Sequence, residues 1–494
     1  MMTAAARFDQ AMVLNRLALK MKNRGWAVDQ TAVVEHQGRL ANEIVEAKEK
    51  FQQVAGIKMR LPGEAEGEED DDTFDESFFS SAPQLKELFF NKWGVRPKYF
   101  SKNTGAPSLD RNALKDLLAE GATQQIKDAS RWLLRFREAH KTKATYIDRL
   151  RPDAVRTTRK LREDHLRHEG AHSDNCYQII QHPNTLLTQG YPEPMEWRLR
   201  PTWNVVQALT ARWSSSDPNL QNLQKTRKNP QTKQIERLGT RNVLVARPGF
   251  YLVEGDYSQL ELRIICLLAG DEILLEMYND PTVDMHAENA KVLFELDHYD
   301  PIAHKNLRDL AKNFVYGANY GGSAKTLWKA LVVGAPNITQ HQVAEMQERW
   351  FKVHPWLLAF SRGKYQDARR LGRVIEEISG REFIFYMGQV KLTEPANYTV
   401  QGFAAALMNA ACVRIDRALD WEDDESMLAQ VHDASFLEGR KPRRLGRILQ
   451  ENMPSEIEFG GHRMRFGIDL KGGTCWGTLE EWKDFVAKLP PEVE

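Results

Sequence analysis

The order in which two hydrophobic periodicities appear constrains the fold of this chain more than any single residue does. Up to residue 150 the apolar positions recur at helical spacing. Val13, Leu14, Leu17 and Met21 do so within Phe8–Gly25, a charged helical continuation follows over Thr31–Ala55, and further helical stretches lie at Ala82–Trp93, Arg111–Glu120 and Ala129–Tyr146. Strand-like runs enter only later. Phe250–Gly255 reads as a strand that feeds a helix over Ser258–Leu268, Asp271–Leu371 is mostly helical, and Met427–Leu437 reads as two short strands folded at a turn. Helices first, then strands mixed with helices, is the order of an α+β chain with more than one domain. Its 494 residues agree with about three packed units at roughly 150 residues each.

Several classes are excluded early. The most apolar stretches, Ile264–Gly270 and Phe403–Val413, fall far short of the ~20 residues that span a bilayer. Met1–Arg7 has no basic segment leading into an apolar one, so no secretory signal is read there. Cys176, Cys266, Cys412 and Cys475 are scattered and form no CxxC pair, which argues against a disulfide scaffold or a zinc module and suits a reducing compartment. The 68 basic and 68 acidic residues balance, but nine of the acids sit in Gly63–Ser77, a stretch without a base. The rest of the chain is then 68 basic against 68 − 9 = 59 acidic residues, a surplus that nucleic-acid binding would use. The acidic stretch itself reads as a solvated loop. Arg149–Arg167 turns basic and polar and marks a domain boundary, and Pro201–Gln224, rich in Ser, Asn and Gln, reads as a loop.

Three segments carry chemistry. A strand delivers Asp256 at its C-terminal end, where a hard carboxylate suits Mg²⁺, although a helix cap by Asp256 or Ser258 is the commoner use of such a residue. In Ala303–Gly322, Arg308, Lys312, Tyr316 and Tyr320 recur every four residues and so share one helix face, two cations followed by two aromatics. That face suits a triphosphate beside a base; a solvated basic stripe running into a core aromatic pair competes with this reading. Gly321-Gly322 supplies a helix stop and a hinge. Asp433 falls at the tip of a strand–turn–strand, 433 − 256 = 177 residues from Asp256. It is either an ordinary turn residue or a second carboxylate, which would repel the first unless cations lay between them.

Asp256-Tyr257-Ser258-Gln259-Leu260-Glu261-Leu262-Arg263 resembles the first signature of the family A DNA polymerases. The Arg308–Tyr320 helix resembles that family's fingers helix, and Val431-His432-Asp433 its third signature, with Ala434 where the family usually has Glu. Arg212-Trp213-Ser214-Ser215-Ser216-Asp217-Pro218-Asn219-Leu220-Gln221-Asn222 resembles its SSxDPNLQN segment, with Ala211 in place of a common Gly. Asn397 and Gln401 resemble a minor-groove pair, though Thr393 stands where an Arg is often found, and Lys143-Ala144-Thr145-Tyr146 resembles the thumb-to-palm junction.

The resemblance implies an α+β right-hand polymerase fold with a helical thumb, an antiparallel-sheet palm and helical fingers. The expected divisions are a lead helix over 1–30, a thumb over 31–150 with its acidic loop at 63–77, palm over 151–270, fingers over 271–395 and palm again over 396–494. It also implies template-directed addition of deoxynucleotides to a primer 3′-OH, with two Mg²⁺ held by Asp256, Asp433 and the Tyr257 carbonyl. Arg308 and Lys312 would meet the triphosphate, Lys312 also as a proton donor. Tyr316 would meet the sugar, Tyr320 the nascent base pair, and Glu261 would exclude a ribose 2′-OH and could accept a bond from the Tyr316 hydroxyl. His286 would touch the triphosphate, its alternative being a surface helical histidine, and Gln259 joins the nucleotide-binding set. Arg212, Asn219, Gln221, Asn222, Asn397, Gln401, His432, Lys143 and Tyr146 would line the DNA, with His432 facing the primer-terminal phosphate. The chain begins where the family's polymerase region begins, so proofreading in the same chain is not expected. Primer–template DNA is the expected partner, with a helicase, a single-strand-binding protein or a separate exonuclease as further candidates. The expected setting is a bacterial or phage-infected cytoplasm, with no membrane. A single-subunit RNA polymerase shares the chemistry but not the full signature with Glu261, and a catalytically dead relative fits poorly with Asp256, Lys312 and Asp433 all present.

Overall fold

The computed structural model describes residues 4–59, 73–74, 78–101, 104–119, 122–150, 179–180, 196–205, 208–228, 235–237, 239–332, 335, 337–386 and 390–490. Most of the acidic stretch 63–77, nearly all of the basic segment 149–167 and Cys176 lie outside these residues. The chain divides into two compact units, Gln30–Glu169 and Met1–Asp29 joined with Gly170–Glu494.

The unit Gln30–Glu169 is helical, as its periodicity predicts. Its helices are α2 (Gln30–Ala55), α3 (Ala82–Lys86), α4 (Arg111–Ala119) and α5 (Gln124–Thr142); α1 (Ala4–Arg24) belongs to the other unit. Helix starts follow capping chemistry, with Ser81 and Thr123 accepting from the backbone N–H three residues on. Phe51, Phe78, Phe79, Phe89, Leu133 and Phe136 form its core. The expected helices over Ala82–Trp93 and Ala129–Tyr146 do not finish as regular α-helix. They widen into π-helical turns at Glu87–Lys92 and Lys143–Ile147. Within the acidic stretch, Thr73–Phe74 pairs in parallel with Lys58–Met59, so this part is a short strand where a loop is expected.

The second unit is built on a five-stranded antiparallel sheet. Its strands are β1 (Tyr251–Tyr257), β2 (Ser426–Val431), β3 (Ala434–Gly439), β4 (Ile468–Gly473) and β5 (Glu480–Glu481), in the order β2-β3-β1-β4-β5. The expected strand at Phe250–Gly255 thus runs on through Asp256 and Tyr257, because Asp256 finds partners on either side, Ala434 and Asp469, and Tyr257 pairs with Ile468. The middle of β1 is closely covered. A Cβ on Gly255 would lie 2.9 Å from Met453 Sδ. Trp26 stacks on Trp476 with centroids 4.9 Å apart, and Phe436 of β3 meets the two rings tilted and edge-on, at 5.5 and 5.0 Å.

Helix α6 (Leu260–Ala269) follows β1 directly. Then come α7 (Glu272–Asn279), α8 (Met285–Phe294), α9 (Lys305–Asn319), α10 (Ala324–Leu331), α11 (Gln340–Val353) and α12 (Pro355–Leu371). The unit closes with α13 (Glu394–Ala418), α14 (Pro442–Asn452) and α15 (Trp482–Ala487). Pro201–Gln224 is not only loop: Thr202–Asn204 pairs with Ser214–Ser216, and Leu220–Asn222 forms a 3₁₀ turn. The polar composition hides this because the ladder is anchored by buried Trp203 and Trp213 while Ser215 Oγ accepts from Leu220 N at 2.9 Å.

Candidate active site

The site grows from the end of β1. Asp256 stands at a sheet position with Ala434 on one side and Asp469 on the other, and opposite residues of an antiparallel pair face the same way. Asp433 occupies the two-residue turn between β2 and β3, whose tip is set by His432 at φ 55°, the left-handed conformation such hairpins favour. Tyr257 N donates to Asp433 O at 3.1 Å, which ties the end of β1 to that turn. The 177-residue separation is closed by sheet register. Burial pushes both carboxyls up to about 6 from an ordinary 3.8. Glu254 and Asp469 add to the effect on Asp256, and Glu261 and Asp256 add to that on Asp433, against the pull of Arg212.

Arg212 enters this site as a bridge. Its Nη2 contacts Glu261 Oε1 and lies 3.7 Å from Asp433 Oδ1. The preceding Ala211 has φ 58°, so the backbone keeps a glycine-like turn although the side chain is Ala. Gln221 holds the hairpin tip: its Oε1 accepts from His432 N at 2.8 Å and its Nε2 donates to Gln430 O at 3.0 Å. Both ends of that amide are therefore engaged with the hairpin, so Gln221 has a structural duty beside its expected place on DNA. Asn219 caps the adjoining turn, accepting from Gln221 N at 3.0 Å, and Asn222 is exposed.

The cationic face is where the spacing puts it. In α9 the residues Ala311, Phe314, Val315 and Ala318 are buried, Lys312 is exposed, and Arg308 and Tyr316 are half-buried beside that stripe; Tyr320 caps the helix end. Gly321 at φ 79° stops the helix, and buried Asn319 is pinned by Trp350 Nε1 at 2.9 Å and by Ser361 Oγ at 2.9 Å. The Tyr316 phenol is pushed up to about 12 by burial and by the negative charge of Glu261, Asp433 and Asp256, which sets this face against the carboxylates. The expected partner of Glu261 needs correcting. Its Oε2 accepts from the Tyr320 hydroxyl at 2.6 Å, one turn further on than Tyr316.

His286 is not a surface histidine. It is 6% exposed, and burial, followed by the charges of Lys312 and Arg308, depresses its ring to about 4. Gln259, at φ 52°, makes the bend between β1 and α6, and its Oε1 accepts from Tyr278 OH at 3.4 Å. Tyr257 buries its ring and donates its hydroxyl to Met453 O, so only its backbone remains for a ligand. Asn397 Oδ1 accepts from Gln401 Nε2 at 2.7 Å on α13. Lys143 and Tyr146 belong to the other unit, where Lys143 pairs with Asp148 at 2.9 Å and Tyr146 is buried. Asp469 and Arg212 are the site neighbours that sequence reading missed or placed elsewhere; the alternation of Asp469 within Ile468–Gly473 was the available signal.

These donors suit a divalent cation. Neither the Asp256 nor the Asp433 carboxylate accepts a hydrogen bond from a described residue, and both carry negative charge that the protein leaves largely uncompensated. Among the described residues no set of three or more His, Cys, Asp or Glu side chains is placed to hold a metal ion. Two carboxylates completed by backbone oxygen, water and substrate phosphates is the arrangement Mg²⁺ commonly takes.

The model of DNA polymerase family A matches residues 175–478. This chain belongs to DNA polymerase family A. It is 30% identical over 400 residues to the thermostable DNA polymerase I of Thermus aquaticus, a match covering 77% of this chain and 41% of that one. Against DNA polymerase I of Pseudomonas aeruginosa it is 27% identical over 372 residues, covering 73% and 34%. The chain thus spans less than half the length of these family A relatives. A solved structure described as the POL domain of Pol1 from M. smegmatis in complex with DNA primer-template and dNTP superposes with TM-score 0.68 at 23% identity, over 95% of this chain and 70% of that one. The likeness establishes the polymerase-domain fold and the α+β class. Among the described residues no helix is long and apolar enough to cross a membrane.

Proposed function

We propose that this family A chain carries out template-directed DNA synthesis, adding deoxynucleotides to a primer 3′-OH. The observation that carries the reading is the meeting of Asp256 and Asp433 through sheet register, with the Tyr316 face of α9 against them. Asp256, Asp433 and the Tyr257 carbonyl would hold two Mg²⁺. The chemistry such ions supply when bound is activation of the 3′-OH and neutralisation of charge on the triphosphate.

The protein's own groups do the rest. Arg308 and Lys312 bind the triphosphate, and Lys312 donates a proton to the leaving pyrophosphate oxygen. Tyr320 meets the nascent base pair, Tyr316 the sugar, and Glu261 closes the space beside the 2′ position. His286 supports the phosphate end as a neutral ring. Arg212, Asn219, Gln221, Asn222, Asn397, Gln401 and His432 contact primer–template, and Gln221 also holds the hairpin. In this reading 1–30 is the lead helix, 31–150 the thumb, 151–270 and 396–494 the palm and 271–395 the fingers. Extension of a labelled primer in Mg²⁺ tests it. Wild type extends, while Asp256→Ala and Asp433→Ala bind the primer–template and do not extend it. Extension by either variant would remove the metal assignment.

A further inference from the structure

Asp284 precedes α8 and caps it. Its Oδ1 accepts from His286 N at 3.0 Å and from Ala287 N at 3.2 Å. Its other oxygen makes a contact that capping does not require: Oδ2 accepts from Arg308 Nε at 2.9 Å. Arg308 lies in the first turns of α9, which packs against α8, and its own backbone N–H is fixed on His304 O at 3.0 Å. Neither Nη atom of Arg308 has a hydrogen-bond partner among the described residues. A guanidinium donates along separate edges, so occupying Nε leaves the terminal amino groups for an anion. Beside it the buried ring of His286 has an Nδ1 without a partner.

We propose, resting on the reading that Arg308 binds the nucleotide triphosphate, that Asp284 is a positioning residue: one carboxylate caps α8 and orients Arg308, presenting its terminal amino groups to the triphosphate. An arginine held in its binding pose before the ligand arrives has less rotamer freedom left to lose on binding. The pair is solvent-facing, with side-chain exposures of 33% and 48%, so its contribution to folding stability is small and its effect falls on binding.

Asp284→Asn separates the two duties. Asn caps a helix about as well as Asp, while its amide group cannot accept from Arg308 Nε without giving up the cap. Single-nucleotide incorporation should show KM for the deoxynucleotide raised about 3- to 10-fold, as the cost of ordering one rotamer-rich side chain on binding implies, with kcat lowered less than about threefold. Primer–template Kd and Tm should match wild type. In an Arg308→Gln background the same substitution should add nothing to KM. An unchanged KM in Asp284→Asn, or the same rise in both backgrounds, overturns the positioning role. If Arg308→Gln alone leaves KM unchanged, the triphosphate reading of Arg308 fails first and takes this proposal with it.

Discussion

Asp433→Asn should remove activity and stabilise the metal-free protein. The Asp433 carboxyl is raised from 3.8 to about 6, first by burial, then by Glu261 and Asp256 acting against Arg212. A carboxyl whose folded pKa exceeds its unfolded value lowers stability once pH passes the unfolded value, and does so fully above the folded one. A difference of about two units at ~1.4 kcal/mol each gives an upper limit near 3 kcal/mol at pH 8. Two effects reduce it. Asp256 and Asp433 interact, so relieving one lowers the load on the other, and Arg212 loses a counter-charge at 3.7 Å while keeping Glu261. A gain of ~1–3 kcal/mol remains. Scanning calorimetry in EDTA should show the transition of the sheet-bearing unit higher in the variant at pH 8. At pH 5, between the two pKa values, roughly half of that gap should survive. Adding Mg²⁺ should raise the wild type more than the variant, because only a cation that binds the folded site shifts its melting. Equal melting of both proteins in EDTA at pH 8 would refute the claim that the site holds uncompensated charge.

Glu261→Ala releases both Arg212 and Tyr320 and, on the proposed reading, opens the space beside the sugar. Incorporation of ATP relative to dATP should rise by about 10-fold or more, and an unchanged ratio in a single-nucleotide assay would remove Glu261 from sugar selection. Gly472→Ala in β4 would set a Cβ 2.1 Å from Phe485 Cδ1. It should cost ~1–3 kcal/mol by urea denaturation, with Phe485→Leu restoring part of the loss, and full stability of the single variant would show that α15 yields freely.

The parts legible in sequence are those whose information is local. Strand β1 and the β2–β3 hairpin announce themselves through Leu252 and Val253 and through the apolar runs on either side of His432-Asp433. The cationic face of α9 follows from four-residue spacing alone, and the Gly321 stop from the conformation its φ requires. The parts that were not legible depend on which groups meet across elements. Tyr316 and Tyr320 are both tyrosines on one face, and only the position of α6 under the end of α9 decides which hydroxyl reaches Glu261. Gln221 sits in a string whose composition suits DNA contact, yet its amide turns inward because His432 N and Gln430 O at the hairpin need partners.

The same reasoning bears on Ala434. In register, residue 434 stands directly opposite Asp256, which already has Asp469 on its other side and Glu254 two residues back on the same face. A glutamate there would add a further negative charge to a carboxyl that burial and its neighbours already push up to about 6. Lys471, opposite Glu254, and Lys225 act against that load but do not cancel it. Ala434 therefore exchanges cation attraction for a less repulsive empty site. If the site holds Mg²⁺ as proposed, substrate phosphates would supply a larger share of the cation's oxygen shell without a glutamate at 434, and cation binding would be more tightly linked to the arrival of the nucleotide.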